Sequence, residues 1–120
     1  MRDIVDRLLR TAPGAKPETF EHSDWLTDVA AEELEGVYAE YEQHFVERLA
    51  ELRRLLGAPD RTDEEGGDAI ARWYPEAIRA ACWERGGKTL VLALEHQDRD
   101  TPVSVVLQCV TAEEMEELST

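Results

Sequence analysis

A chain of 120 residues with 42% hydrophobic residues is the size of one ordinary domain and apolar enough to build a core, while its net charge of -14 makes the surface strongly acidic. That balance argues against attraction to a nucleic acid backbone or an anionic lipid surface, and it favours cations or basic protein as partners. No apolar run approaches the ~18 residues of a membrane span, and the start, Met1-Arg2-Asp3-Ile4-Val5-Asp6, lacks the apolar stretch of a secretory signal, so a cytoplasmic protein is expected.

The elements suggest one α+β domain over residues 1–120, divided into a short helix and linker (1–22), a long helix (23–58), a loop and short helix (59–77), and a β-meander with a final helical turn (78–120). From Asp3 to Arg10, the residues Ile4, Val5, Leu8 and Leu9 give a one-sided pattern that predicts a short amphipathic helix. Ala12-Pro13-Gly14 ends it, and a linker through Lys16-Pro17 runs to about His22, with Phe20 and Trp25 as expected hydrophobic anchors.

Ser23, Asp24 or Thr27 can cap the long helix, since each offers a side-chain oxygen to the free amides of a first turn. Leu34, Tyr38, Tyr41, Phe45, Leu49, Leu52 and Leu56 then recur at near-helical intervals, a pattern that makes Tyr38, Tyr41 and Phe45 core residues rather than a ligand platform. Gly57-Ala58-Pro59 stops the helix. Gly36 inside it predicts a kink or a close approach by another element.

Asp60 to Asp68 reads as a surface loop, and a calcium loop is rejected on spacing: counted from Asp60, the sixth position is Glu65 and the twelfth is Ala71. Ala69 to Tyr74 predicts a short helix ending before Pro75. The period then changes. Gly86-Gly87 is a two-residue hairpin turn, which sets Glu84 against Thr89, Trp83 against Leu90, Cys82 against Val91 and Ala81 against Leu92. Leu90, Leu92 and Leu94 share one face with Val103, Val105, Leu107 and Cys109 of a third strand, so a three-stranded antiparallel meander is expected to seat the long helix. That register places Cys82 and Cys109 on opposite faces of non-neighbouring strands, as two free thiols. Thr111-Ala112-Glu113-Glu114 is a capping box for a last helical turn.

The most unusual feature is electrostatic. From Pro17 to Glu47 there is no Lys or Arg, and ten carboxylates stand there: Glu18, Glu21, Asp24, Asp28, Glu32, Glu33, Glu35, Glu40, Glu42 and Glu47. The helix dipole accounts for acidic residues at the first turn and for Arg48, Arg53 and Arg54 toward the end. It does not account for the middle, where like charges recur at helical spacing and cost about 0.2–0.5 kcal/mol per close pair. A docking surface for a basic partner is therefore expected, with Glu32, Glu33, Glu35, Glu40, Glu42 and Glu47 as contact candidates. Trp73 and Tyr74, at the join of the helical and strand halves, would be anchors if exposed.

Catalytic signals are weak. Ser23, Ser104 and Ser119 lack a nucleophile-elbow context, and neither glycine pair continues into a phosphate loop. The His96-Gln97-Asp98-Arg99-Asp100 loop makes a cation site between His96 and Asp98 geometrically possible, although turn chemistry explains each residue and Arg99 would compete. A non-catalytic protein is expected, with no cofactor and no metal.

In size, charge and layout the chain resembles the small acidic immunity proteins encoded beside bacterial toxins. The resemblance rests on the Glu18 to Glu47 carboxylates, the helix-then-meander order, and the Trp73-Tyr74-Pro75-Glu76 and His96-Gln97-Asp98 segments. It implies stoichiometric inhibition, in which acidic side chains pair with the Lys and Arg that a nuclease toxin uses on phosphates. A rival class, a small acidic export or assembly chaperone, would need exposed apolar surface, for which Val91, Ala93, Val106 and Val110 are the candidates. A third, a small enzyme or metal sensor, would use the His96 loop.

Overall fold

The computed structural model describes residues 2–11, 16–27, 29–62, 77–96 and 101–111. Helix α1 (Arg2–Thr11) is followed by strand β1 (Glu18–His22) and by the long helix α2 (Ala31–Leu56). Strands β2 (Arg61–Thr62), β3 (Ala77–Arg85), β4 (Lys88–His96) and β5 (Val103–Thr111) complete an antiparallel sheet of order β1-β5-β4-β3-β2. The class is α+β, with a long helix on an antiparallel sheet.

The meander β3-β4-β5 sits in the register read from the Gly86-Gly87 turn, with Trp83 opposite Leu90 and Leu92 opposite Leu107. Both glycines have positive φ, 58° and 81°, which a two-residue hairpin turn requires and a Cβ would strain. Cys82 and Cys109 are free, buried, and on opposite faces as expected. The sheet has five strands rather than three, however. Residues 18–22, read as linker, form β1 against β5, and Arg61-Thr62, read as loop, form the two-residue edge β2. Both additions pair on the free edges of the meander, where unpaired backbone groups would otherwise be left to solvent.

Helix α2 begins at Ala31, not near residue 23. Its N-cap is Ala30, without a side-chain cap bond. Ser23, expected as a cap, is instead tied to the sheet: its amide donates to the Val103 carbonyl at 2.9 Å and its hydroxyl accepts from the Val103 amide at 3.0 Å. Between β1 and α2, Leu26 is buried and Trp25 is 69% exposed. Trp25 is thus no core anchor; Leu26 takes that place, while Phe20 does pack on the core.

The main core lies between the helices and one sheet face. Val5 and Leu8 of α1, Phe45 and Leu52 of α2, and Trp83, Leu90, Leu92, Leu94, Val103, Val105, Leu107 and Cys109 of the sheet form it, and Tyr38, Tyr41, Leu34 and Leu49 pack around it. Truncating a side chain such as Leu52 there costs about 2–5 kcal/mol. No atom lies within 4 Å of a Cβ built on Gly36, so no element approaches closely there. The opposite sheet face is also buried: Ala80, Cys82, Val91, Ala93 and Val110 form a second cluster to which neither helix contributes. The short helix at 69–74, Trp73, Tyr74 and the final helical turn after Thr111 lie outside the described residues.

Candidate partner-binding surface

Helix α2 lies over β5 and β4, the middle of the sheet. Two arginines tie its flanks to the strands on either side. Toward β1, Arg48 donates to Glu21 Oε1 from Nε at 3.0 Å and from a terminal nitrogen at 2.7 Å, stacks on the Phe20 ring at 4.6 Å, and pairs with Glu51 at 3.1 Å. A β-bulge between Thr19 and Glu21 makes this possible, because the extra residue lets Phe20 and Glu21 both serve the helix side. The Glu21 hydrogen bond, outweighing the opposing effect of burial, holds the Arg48 guanidinium even more firmly protonated than usual. Toward β3, Arg79 donates to Glu42 at 3.0 Å and lies 5.0 Å from the Phe45 ring centroid. A second bulge, between Ala77 and Arg79, precedes it.

The C-terminal end of α2 is fastened from β3. Arg85 donates to the Leu56 carbonyl at 2.6 Å, and the Trp83 indole donates to the Gly57 carbonyl at 3.0 Å. These bonds satisfy carbonyls that a helix end leaves without partners. Asp60 continues the attachment by accepting from the Glu84 amide at 2.7 Å.

The six carboxylates expected to form one docking face are all exposed, but they are not equivalent. At about 100° per residue, Glu35 and Glu42 lie on the β3 flank, roughly 140–180° around the helix from Glu33 and Glu40 on the β1 flank. Glu42 is committed to Arg79, and Glu47 accepts a long 3.5 Å bond from Gln43. Among the described residues, Glu32, Glu33, Glu35 and Glu40 have no ion pair. Glu40, Asp24 and Glu21 also converge electrostatically on Tyr41, whose hydroxyl is pushed above the usual 10.0, first by burial and then by these carboxylates. Trp73 and Tyr74, the remaining candidates, fall outside the described residues.

His96 turns toward the helix. Its Nε2 faces the Thr101 carbonyl at 3.0 Å, which can only accept, so Nε2 donates; in the neutral ring Nδ1 then accepts from the Tyr38 hydroxyl at 2.5 Å. The rings meet edge to face, 5.4 Å between centroids. Nδ1 thus joins the sheet to α2 while Nε2 ties the end of β4 to the start of β5, an arrangement a cation at His96 would have to break. Among the described residues there is no group of three or more His, Cys, Asp or Glu that could hold a metal ion, and Asp98 lies outside them.

The outer sheet face also departs from one expectation. Val91, Ala93, Val106 and Val110, proposed as exposed chaperone surface, are only 0–5% exposed. Among the described large apolar side chains that are exposed, Trp25, Val46 and Ile78, the most exposed is Trp25. It borders an open cleft of about 360 Å³ with Thr19, His22, Glu95, Thr101, Pro102 and Ser104. His22 pairs with Ser104 and Ser104 with Glu95, so these three form one row across β1, β5 and β4 on the face opposite α2. His22 donates through Nδ1 to the Ser23 carbonyl at 3.1 Å. Sequence reasoning missed this cleft because it depends on β1 joining the sheet. The available signal was Thr19-Phe20, two residues of high strand propensity shortly before a tryptophan.

Compared with models of known families, with characterised proteins and with solved structures, the chain matches none. None of the described helices is long and apolar enough to cross a membrane.

Proposed function

We propose that this chain is a non-catalytic acidic binding protein that neutralises a basic protein partner by occlusion, in the manner of an immunity protein for a bacterial toxin. The observation that carries this reading is a division among its carboxylates. Glu18, Glu21 and Glu42 each face an arginine of another element and serve the fold. Glu32, Glu33, Glu35 and Glu40 are exposed on a helix that packs on the sheet, with no ion-pair partner among the described residues. Such a field steers a basic surface into encounter and repels anionic polymers. The chaperone alternative loses its support, because the outer-face residues it needs exposed are buried.

The test is capture from the native host on the tagged protein at low salt, in parallel with the variant Glu33→Lys/Glu40→Lys, followed by a salt gradient. Expected is one basic protein that the wild type retains in proportion, that elutes as salt rises, and that the variant retains poorly. Equal retention by both proteins would remove the helix from the account. Glu35→Lys/Glu42→Lys is a poorer probe, because Glu42 also holds Arg79.

A further inference from the structure

Twice in this molecule a guanidinium sits between an aromatic ring and a carboxylate. Arg48 lies 4.6 Å from the Phe20 centroid and 2.7 Å from Glu21; Arg79 lies 5.0 Å from the Phe45 centroid and 3.0 Å from Glu42. The Trp25 cleft repeats two of the three components. An indole face, the best of the aromatic partners for a cation, is 69% exposed, and Glu95 lines the same cleft. Trp25 has no ring or cation contact of its own among the described residues. Holding an apolar side chain of this size in water has no benefit to the fold, and tryptophan is the residue type most enriched at binding hot spots.

We propose that the cleft receives one arginine side chain of a basic protein partner, its guanidinium stacked on Trp25 and hydrogen-bonded to Glu95. The inference rests on the reading above that the partner is basic, and it adds where a specific contact forms. Arginine fits better than lysine because its planar group can stack on the indole while its N–H fork meets the carboxylate in plane. Glu95 already has a partner, but two carboxylate oxygens offer about four acceptor sites, so a further donor can be received. The Ser104 hydroxyl between His22 and Glu95 is a neighbouring acceptor in the same row. The net charge of -14 supplies the attraction, and the cleft supplies the selection.

The probe is the peptide acetyl-Gly-Arg-Gly-amide, titrated against the full chain by NMR alongside its lysine and citrulline counterparts. The arginine peptide is expected to shift the Trp25 indole N–H and the Glu95 and Ser104 amides saturably, the lysine peptide less, and the citrulline peptide not at all. Trp25→Ala should weaken arginine-peptide binding about tenfold, the scale of a well-placed cation–π contact. Glu95→Gln should weaken it as well, with unchanged dispersion elsewhere in the spectrum showing that the fold is kept. Shifts confined to α2, or an equal response to citrulline, would overturn the inference. If the cleft stays silent while a basic protein still binds through α2, the inference falls and the functional reading stands. If the peptide fills the cleft while Glu33→Lys/Glu40→Lys leaves basic-protein binding unaltered, the reading of the helix falls and the cleft stands.

Discussion

The two halves of helix α2 are built for different purposes. The C-terminal half is anchored at every turn: Arg48 to Glu21 and Glu51, Leu52 in the core, and the last carbonyls to Arg85 and Trp83. The N-terminal half starts without a side-chain cap and carries Glu32, Glu33, Glu35 and Glu40 unpaired among the described residues. Toward the C-terminal end Arg48 and Glu51 are tied into the fold while Arg53 and Arg54 stay exposed. Toward the N-terminal end Glu42 is paired with Arg79 and the four earlier carboxylates face water. A helix shaped by stability alone would interleave the signs.

Substitutions can break this contrast or sharpen it. Leu52→Ala should cost the most, about 2–5 kcal/mol in denaturant unfolding, because it opens a cavity in the fastened half. Arg48→Ala comes next. It leaves Glu21 without its arginine, and since Glu21 Oε2 is already buried without a hydrogen bond, about 1–3 kcal/mol should be lost. A double change with Glu21→Gln should recover part of that loss in a double-mutant cycle.

On the other half, Gly36→Ala should stabilise by about 1 kcal/mol, as helix propensity predicts where the added methyl meets open space. Glu33→Lys/Glu40→Lys should cost no more than about 1 kcal/mol, because Glu33 lies in the first turn, where the helix dipole favours a carboxylate, and neither side chain supports a described contact. A large destabilisation from that pair would mean the carboxylates serve the fold after all.

The smallest effect is alkaline. The Tyr41 hydroxyl is pushed above 10.0 in the folded chain, so the unfolded chain releases that proton first as pH rises. The stability linked to Tyr41 is complete below pH 10.0 and declines as pH climbs through the folded-state value. Tyr41→Phe should flatten that decline in unfolding measured from pH 9 to 11; an unchanged slope would dissociate Tyr41 from the surrounding carboxylates.

What could be read from the sequence was what local chemistry decides. A Gly-Gly turn allows few strand registers, so the pairing of β3 with β4 and the faces of both cysteines were legible, as was the apolar stripe of α2. What could not be read depends on residues far apart in the chain. Strand β1 is five residues with a bulge that interrupts its alternation, and it is a strand only because β5 offers an edge. Trp25 has the hydrophobicity of a core residue, and only its placement between β1 and α2 leaves it outside. The split of the carboxylates was invisible for the same reason, since Glu21 finds Arg48 and Glu42 finds Arg79 through tertiary placement.

The most direct test compares association of wild type and Glu33→Lys/Glu40→Lys with the basic protein recovered by capture, over a range of salt. The account predicts that the wild type associates faster, by roughly tenfold at low salt, that the advantage shrinks as salt rises, and that both proteins are folded under the conditions of the measurement. Equal association rates at every salt concentration, with both proteins folded, would contradict the claim that the unpaired half of α2 is the binding surface.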